Sequence, residues 1–190
     1  MNSYTSDDFK RLKNPIETAK CESSEVLYST KSDVHLSYKE VVAISKKAQE
    51  TSRGRLRFCL HTEIDNPLHE MLIVHPYKAY VPPHKHHDQS ESIFILEGTM
   101  DLIIFDDLGV VVNVVPMGPV NSGRVFHHRL GKPQFHTMLI HSKQVVFTEV
   151  KTGPYYPEKT ELAEWAPDSS DLNGVDLFLK KLFRDYQTIG

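Results

Sequence analysis

Cysteine is scarce in this chain, which has two in 190 residues, Cys21 and Cys59. Two distant cysteines without an export signal argue against a disulfide framework and favour a reducing compartment. The first residues carry neither the basic nor the apolar segment of a signal peptide. No run approaches the roughly 18 consecutive apolar residues that a membrane-spanning helix needs. We therefore expect a cytoplasmic protein with no membrane partner.

An excess of one charge is also missing. The 22 basic and 25 acidic residues give a net charge of −3, which argues against a nucleic-acid partner. Glycine-rich phosphate loops, Ser-His-Asp series and reactive-cysteine motifs are not found. With 39% hydrophobic residues, the chain is long enough to fill one core. The 11 histidines are the exception, and their clustering indicates the chemistry.

The sequence pattern divides the chain into four segments around one barrel. Residues 1–24 are polar and lack a sustained period, so we interpret them as an extension that is partly helical around Asp8 to Lys13. Residues 25–54 form a lead-in of one strand and one helix. Residues 55–152 contain short β-rich runs separated by turns, which is typical of an antiparallel barrel or sandwich. Residues 153–190 form an irregular segment followed by a helix.

The expected elements follow from hydrophobic periodicity. Nine barrel strands are predicted, at Leu56 to His61, Glu70 to His75, Tyr80 to His86, Glu91 to Glu97, Thr99 to Phe105, Val110 to Val115, Arg124 to Leu130, Phe135 to His141 and Gln144 to Val150. Ser37 and Glu40 form the capping box of the first helix, which should end near Gly54. The last helix carries one apolar stripe, formed by Leu172, Val175, Leu179, Leu182 and Tyr186. We expect this stripe to pack on the barrel exterior.

His84 and His86 are the strongest functional signal. Histidines two residues apart point the same way only on an extended strand, whose side chains alternate between faces. The four residues after His86 allow a turn that brings Glu91 back on the neighbouring strand, and His136 arrives from a distant strand. Three imidazoles and a carboxylate suit a divalent transition metal such as Fe, Mn, Zn, Co or Ni. We therefore predict that these four residues are metal ligands.

Other histidines leave alternatives open. His87 and Asp88 favour a solvated histidine-rich loop instead of a metal site. By itself, His136 on an apolar face is more typical of a buried core histidine. Because His84, His86 and Glu91 leave the metal site one ligand short, we interpret His136 as that ligand. His127 and His128 are not preferred as ligands, because four other residues already complete a set.

A family resemblance follows from these residues. The run His-x-His-x4-Glu-x6-Gly, from His84 to Gly98, is similar to the first cupin motif, and His136 lies where the second motif supplies its histidine. The glycine that usually precedes the first histidine by six residues is Lys78 here. The resemblance implies a mainly β, single-domain cupin, a jelly-roll-like barrel with the metal inside it, a short N-terminal helix and a C-terminal helix.

A narrower resemblance covers nearly all of residues 25–167. The segments that carry it are Arg53 to His61, Glu70 to Ile73, Pro83 to His86, Ser90 to Ser92, Ile104 to Gly109, Phe126 to Leu130, Phe135 to Thr137, Phe147 to Pro154 and Trp165 to Pro167. They look like the WbuC family of cupin-fold metalloproteins, which are often encoded among genes for O-antigen and other surface polysaccharides. This resemblance implies a metal and a pathway, and it implies no particular reaction.

Four further side chains are candidates for the pocket. Arg129 is either a surface residue or an anion clamp, because its planar guanidinium matches carboxylate and phosphate. Arg57 and His61 share a strand face, which either lines the barrel mouth or forms a charged outer face. Glu149 is either a structural ion-pair partner or a pocket acid. We predict catalytic roles for Glu149 and Arg129, and substrate binding by Arg57, His61 and Arg129.

The expected function follows from the ligand set. Three histidines and one carboxylate leave about two open positions in an octahedral shell. With Fe(II) such a shell supports an oxygenase, and with other divalent metals it supports isomerisation, epimerisation or decarboxylation. We expect a metal-dependent enzyme acting on a sugar or other small polar metabolite. The alternatives are a non-catalytic, metal-tethered sugar or carboxylate sensor, and a metal that only staples the barrel.

Two observations bear on these expectations. Glu149 or His127 pointing inward beside the metal would favour an enzyme, because either side chain can serve as a general acid or base. A pocket lined by apolar side chains, with Arg129 as its only charged residue, would favour a sensor. We also expect a homodimer, since a second chain commonly covers the exposed strand edges of small barrels of this kind.

Overall fold

The computed structural model describes residues 13–186, and most of the helical stretch expected around Asp8 to Lys13 lies outside the described residues. Within residues 13–186 the strands are β1 Lys20–Ser23, β2 Val26–Tyr28, β3 Leu56–Cys59, β4 Leu68–Pro76, β5 His84–His86, β6 Glu91–Glu97, β7 Met100–Phe105, β8 Val111–Met117, β9 His127–Leu130, β10 Phe135–Ile140, β11 Gln144–Thr152 and β12 Thr160–Leu162. The α-helices are α1 Tyr38–Gln49 and α2 Leu172–Tyr186. Neither helix is long and apolar enough to cross a bilayer.

Two sheets form the barrel. One has seven strands in the order β1-β2-β3-β4-β11-β6-β9, and the other has five in the order β12-β5-β10-β7-β8. All pairs are antiparallel except β2 with β3. Between β4 and β11 the chain crosses repeatedly from one sheet to the other, which produces a jelly-roll barrel. The predicted mainly β, jelly-roll-like barrel with two flanking helices is confirmed.

The main core lies between the sheets. Side chains alternate along each strand, so Ile93 and Ile95 of β6 meet Leu102 and Ile104 of β7 in one buried cluster. The outer faces of the two sheets are covered separately. Helix α1 packs on the outer face of the larger sheet through the second cluster, whose helical members are Val41, Ile44 and Ala48. Helix α2 covers the smaller sheet through the third cluster, whose helical members include Leu179 and Leu182.

The start of α1 confirms the predicted capping box. The Oγ of Ser37 accepts the N–H of Lys39 at 3.3 Å, and the Oε2 of Glu40 accepts the N–H of Ser37 at 2.6 Å. These bonds satisfy backbone donors that the first turn of a helix leaves unpaired. The helix ends at Gln49, earlier than predicted, because a turn through Thr51 follows.

Two strand predictions are wrong at their beginnings. The strand expected from Tyr80 covers only His84–His86, because Pro82 and Pro83 have no N–H for a ladder. The strand expected from Arg124 begins at His127, because the preceding residues pair with the end of β8 as the chain changes sheets. Strand β12 had no signal in the sequence, and it pairs with β5 at the edge of the smaller sheet.

Candidate metal centre

Three of the predicted ligands meet at one end of the barrel interior. Strand β5 directs His84 and His86 to the same side, and His136 of β10 lies opposite His84 in the antiparallel ladder. The ligand nitrogens of the three imidazoles all lie within 4.8 Å of one another. His86 and His136 are buried, and His84 is half-buried. The spacing of these nitrogens is compatible with one shared cation.

Glu91 reaches the same point from the opposite sheet, where it begins β6. Its Oε1 lies 2.8 Å from the Nε2 of His136, and its Oε2 lies 3.4 Å from the Nε2 of His86. The side chain is 4% exposed, so water does not compensate its charge. Glu91 therefore contacts two of the three histidines, whereas the group of mutually close ligand atoms consists of His84, His86 and His136.

The hydrogen bonds of Nδ1 in His84 and His136 determine which ring nitrogen faces the other ligands. The Nδ1 of His84 lies 2.9 Å from the carbonyl oxygen of Pro82, and the Nδ1 of His136 lies 2.9 Å from that of Gln134. A carbonyl oxygen only accepts, so each Nδ1 carries the hydrogen. In the neutral rings the Nε2 lone pairs then point toward the other ligands, the arrangement that metal-binding histidines use.

The contact between His136 and Glu91 tests whether a cation fits. A neutral His136 directs its Nε2 lone pair at a carboxylate oxygen 2.8 Å away, which is repulsive unless a proton or a metal ion lies between them. Burial acts to raise the pKa of Glu91, but contacts with His136 and His86 outweigh it and hold that pKa well below the usual range. Burial acts to lower the pKa of His136, and Glu91 reverses this and raises it. The donor set therefore fits a divalent transition metal.

A cavity of about 480 Å³ adjoins this cluster. All four predicted ligands line it, together with side chains of β3, β4 and β11. Its size lies in the range of about 300–1,000 Å³ that is typical of small-molecule sites. The cavity can therefore hold a metabolite in contact with the four side chains.

Glu149 is an acidic side chain in the wall of this cavity. It lies on the inner face of β11, between Met71 of β4 and Ile93 of β6. Burial raises the pKa of its carboxyl, the charge of Glu91 raises it further, and Lys151 opposes both effects. Within residues 13–186, Glu149 forms no ion pair, so the structure does not support its interpretation as a structural ion-pair partner.

Arg57 and His61 also line the cavity. The ring of His61 stacks on that of His69 with centroids 4.0 Å apart, and its Nδ1 lies 3.2 Å from both the backbone nitrogen and the carbonyl oxygen of Glu70. Burial, followed by the charge of His69, lowers the pKa of His61 to about 4, so the ring is neutral at pH 7. Either neutral tautomer is therefore accommodated, and in the tautomer protonated at Nε2 that atom is a donor.

Arg129 lies outside the cavity, and its predicted pocket role is wrong. On β9 the half-buried residue is His128, which pairs with the inward-facing Ile93, whereas His127 and Arg129 are exposed. The guanidinium lies 3.4 Å from the Oγ of Ser90 on the surface. Side chains alternate along β9, and its register against β6 turns His128, not Arg129, toward the barrel interior.

Lys151, His69 and Thr160 are among the cavity residues that were missed in the sequence. Lys151 and His69 face inward on β11 and β4, and Thr160 of β12 lies 3.1 Å from the Nδ1 of His86. Lys151 continues the alternation that includes Glu149, but the strand was predicted to end at Val150, two residues too early. Thr160 had no signal, because its three-residue strand has no periodic pattern.

Comparison of the sequence with known proteins gives one family match. The sequence profile of a family described as "Domain of unknown function (DUF6016)" matches residues 36–117, fewer than half of the 190. No curated protein matches the chain.

Solved structures that resemble the chain do so at low identity. The DMSP lyase DddQ from Ruegeria pomeroyi DSS-3 is 17% identical, with 60% of this chain and 54% of that chain covered and a TM-score of 0.46. KdgF from Halomonas sp. is 12% identical, with 58% and 87% covered and a TM-score of 0.44. The capsular polysaccharide assembling protein CapF from Staphylococcus aureus is 11% identical, with 58% and 29% covered and a TM-score of 0.46. This chain spans about half the length of the first of these proteins.

Proposed function

We propose that this protein is a metal-dependent enzyme acting on a sugar or another small polar metabolite. His84, His86 and His136 would hold a divalent transition metal, since their ligand nitrogens lie within 4.8 Å of one another, and Glu91, which contacts His86 and His136, would be the fourth ligand. Such a metal, when bound, polarises a carbonyl or hydroxyl of the substrate and stabilises developing negative charge. The adjoining cavity gives that substrate room.

Glu149 is the observation that favours an enzyme over a sensor. Its carboxyl points into the cavity, and it acts electrostatically on both Glu91 and His136. A pKa raised by burial brings a carboxyl closer to neutral pH, where it can accept and return a proton. Isomerisation and epimerisation of a sugar both require such a group. His127, the other candidate for the general base, is exposed on β9 and does not line the cavity.

The biological setting rests on the resemblance to the WbuC family. That resemblance supports a cytoplasmic role in the synthesis of O-antigen or another surface polysaccharide. We also propose a homodimer, because β8 and β9 each lie at the edge of a sheet, where a second chain can pair with the strand. Light scattering on the purified protein tests the dimer.

Metal analysis tests the proposal first. The protein is purified from metal-supplemented medium, and bound ions are counted by mass spectrometry. We expect a stoichiometric divalent transition metal, and its absence would overturn the proposal.

Turnover is then tested with a panel of sugars, sugar acids and sugar phosphates. Deuterium incorporation from D₂O detects isomerisation or epimerisation, and an oxygen electrode detects oxygenation. Glu149→Gln should retain the metal and lose turnover, since the amide cannot exchange a proton. Equal turnover in the variant would remove Glu149 from the mechanism.

A further inference from the structure

We infer that Lys151 and Arg57, together with the neutral ring of His61, form an anion-binding subsite in the cavity. The subsite receives a carboxylate or phosphate of the ligand while another part of the ligand reaches the metal centre. This inference rests on the proposed function for the identity of the cavity as a substrate site. It adds that the ligand is an acid.

Lys151 is a buried cation without a counterion. The residue is 8% exposed, and its Nζ lies 5.2 Å from the ring centroid of Tyr155. Within the part of the chain that the structure describes, it forms no ion pair. Holding an ammonium away from water without an anion is unfavourable. A ligand anion in the cavity would offset that cost.

Arg57 differs from the two arginines that precede it. The Nε of Arg53 lies 2.6 Å from Glu25, and the Nε of Arg55 lies 3.0 Å from the same carboxylate. Arg57 lines the same cavity, and it has no ion pair with any of residues 13–186. Arg57 is exposed and its side chain contacts the thiol of Cys59, and its charge and remaining donors are available to a ligand.

His61 connects the two cations. Besides burial and His69, both Arg57 and Lys151 lower its pKa, which places it within electrostatic reach of each. Its Nδ1 lies 3.2 Å from both the backbone nitrogen and the carbonyl oxygen of Glu70, so either neutral tautomer is accommodated. In the tautomer protonated at Nε2, the neutral ring would donate to an anion without adding charge.

Glu149 does not neutralise this cluster. Both Lys151 and Arg57 act on its carboxyl electrostatically, but neither forms an ion pair with it. Burial, the largest effect, raises its pKa and disfavours the charged form. The wall that carries these residues therefore retains a positive charge for a ligand.

The distance to the metal centre limits the size of the ligand. Lys151 of β11 lies directly opposite Glu91 of β6, and neighbouring strands are about 5 Å apart. A ligand that spans both sites therefore needs only a few atoms between its anionic group and its metal-binding group. Sugar acids and sugar phosphates have these dimensions.

Calorimetry with inorganic phosphate, glucuronate and glucose tests the subsite on the metal-loaded protein. We expect phosphate, glucuronate or both to bind, and glucose to bind far more weakly. Whether phosphate or glucuronate binds more tightly identifies the anionic group. Lys151→Met, which keeps the length of the side chain, should weaken anion binding by about tenfold or more. Lys151→Arg should restore part of the affinity.

Two controls separate charge from folding and from the metal. Lys46→Met removes an exposed lysine of α1 and should bind anions like the wild type. Thermal melting establishes that each variant is folded, and if Lys151→Met is not, the same comparison is made with Lys151→Gln. Wild-type protein stripped of metal by a chelator should still bind inorganic phosphate, with the same loss in the Lys151 variant.

The outcomes distinguish this inference from the proposed function. Unchanged anion affinity in folded Lys151→Met, or no binding of either anion by the wild type, would overturn the subsite. Anion binding that disappears with the metal and ignores Lys151 would also overturn it while leaving the metal centre intact. Lys151-dependent binding in a protein that never acquires metal would sustain the subsite and defeat the proposed function.

Discussion

His136 lies directly opposite His84 in the ladder between β10 and β5, with ring centroids 4.4 Å apart. The two residues are distant in sequence, and Glu91 reaches them from the other sheet. Each sheet therefore contributes to the cluster, and the barrel must close before the donor atoms meet. A test of the metal site therefore needs variants that remove one ligand and leave the strands paired, so that loss of metal is not caused by unfolding.

His86→Ala should abolish stoichiometric metal binding. It removes one of three imidazoles and leaves Glu91 with fewer partners in a buried volume. His127→Ala is the matched control, because His127 is exposed on β9 and should leave the metal content unchanged. Metal per chain, measured by mass spectrometry after gel filtration, decides the result. Metal loss in the control and retention in His86→Ala would show that the ligands are wrongly chosen.

Thr160→Val should lower metal affinity without preventing binding. The Oγ1 of Thr160 lies 3.1 Å from the Nδ1 of His86, and loss of such an outer partner costs about 10–100-fold in affinity. Competition with a chromophoric chelator measures this change. Thr148→Val is the control, since Thr148 forms no side-chain hydrogen bond with residues 13–186. Equal affinities in the two variants would contradict an orienting role for Thr160.

Local patterns predicted the barrel and the approach of the histidines. Alternation along a strand and the His-x-His spacing depend on a few consecutive residues, and the chain has no competing helical signal there. The capping box at Ser37 is local in the same sense. Whether the four clustered residues bind an ion stays a prediction until metal is measured.

Non-local pairing explains the errors. Which face of β9 turns inward depends on its register against β6, so the sequence could not decide between His128 and Arg129. Thr160 reaches His86 through a short edge strand after an irregular segment, where no period indicates pairing. Lys151 was within reach of the alternation rule, but the end of a strand is its least predictable part.

Gly98→Ala should destabilise the fold far more than Gly123→Ala. Both glycines have positive φ, 79° and 75°, which an alanine adopts at a cost of about 1–2 kcal/mol. A Cβ at Gly98 would also collide with the carbonyl oxygen of Gln144 and lie 2.5 Å from the Oγ of Ser142, whereas nothing lies within 4 Å at Gly123. We expect about 1 kcal/mol for Gly123→Ala and more than about 3 kcal/mol for Gly98→Ala. Urea unfolding measures both, and similar losses would refute the close approach at Gly98.

His75→Phe should reduce the acid sensitivity of the fold. Burial, followed by the charge of Arg55, lowers the pKa of His75 to about 4, and its Nδ1 has no hydrogen-bond partner within residues 13–186. The unfolded chain, with a pKa near the usual value of about 6.5, therefore binds more protons between pH 6.5 and 4. The stability that His75 provides is present above that window and is lost as the pH falls through it.

Urea unfolding at pH 6.5 and 4.5 tests His75→Phe on protein freed of metal, so that the ligands contribute equally to all variants. From pH 6.5 to 4.5 the wild type should lose about 2 kcal/mol more than the variant, which replaces the imidazole with a ring that cannot be protonated. Phe147, whose ring centroid lies 5.8 Å from that of His75, provides an aromatic neighbour for the new side chain. His127→Gln controls for the loss of an exposed histidine. Parallel losses in wild type and His75→Phe would mean that His75 accepts a proton in the folded state without cost.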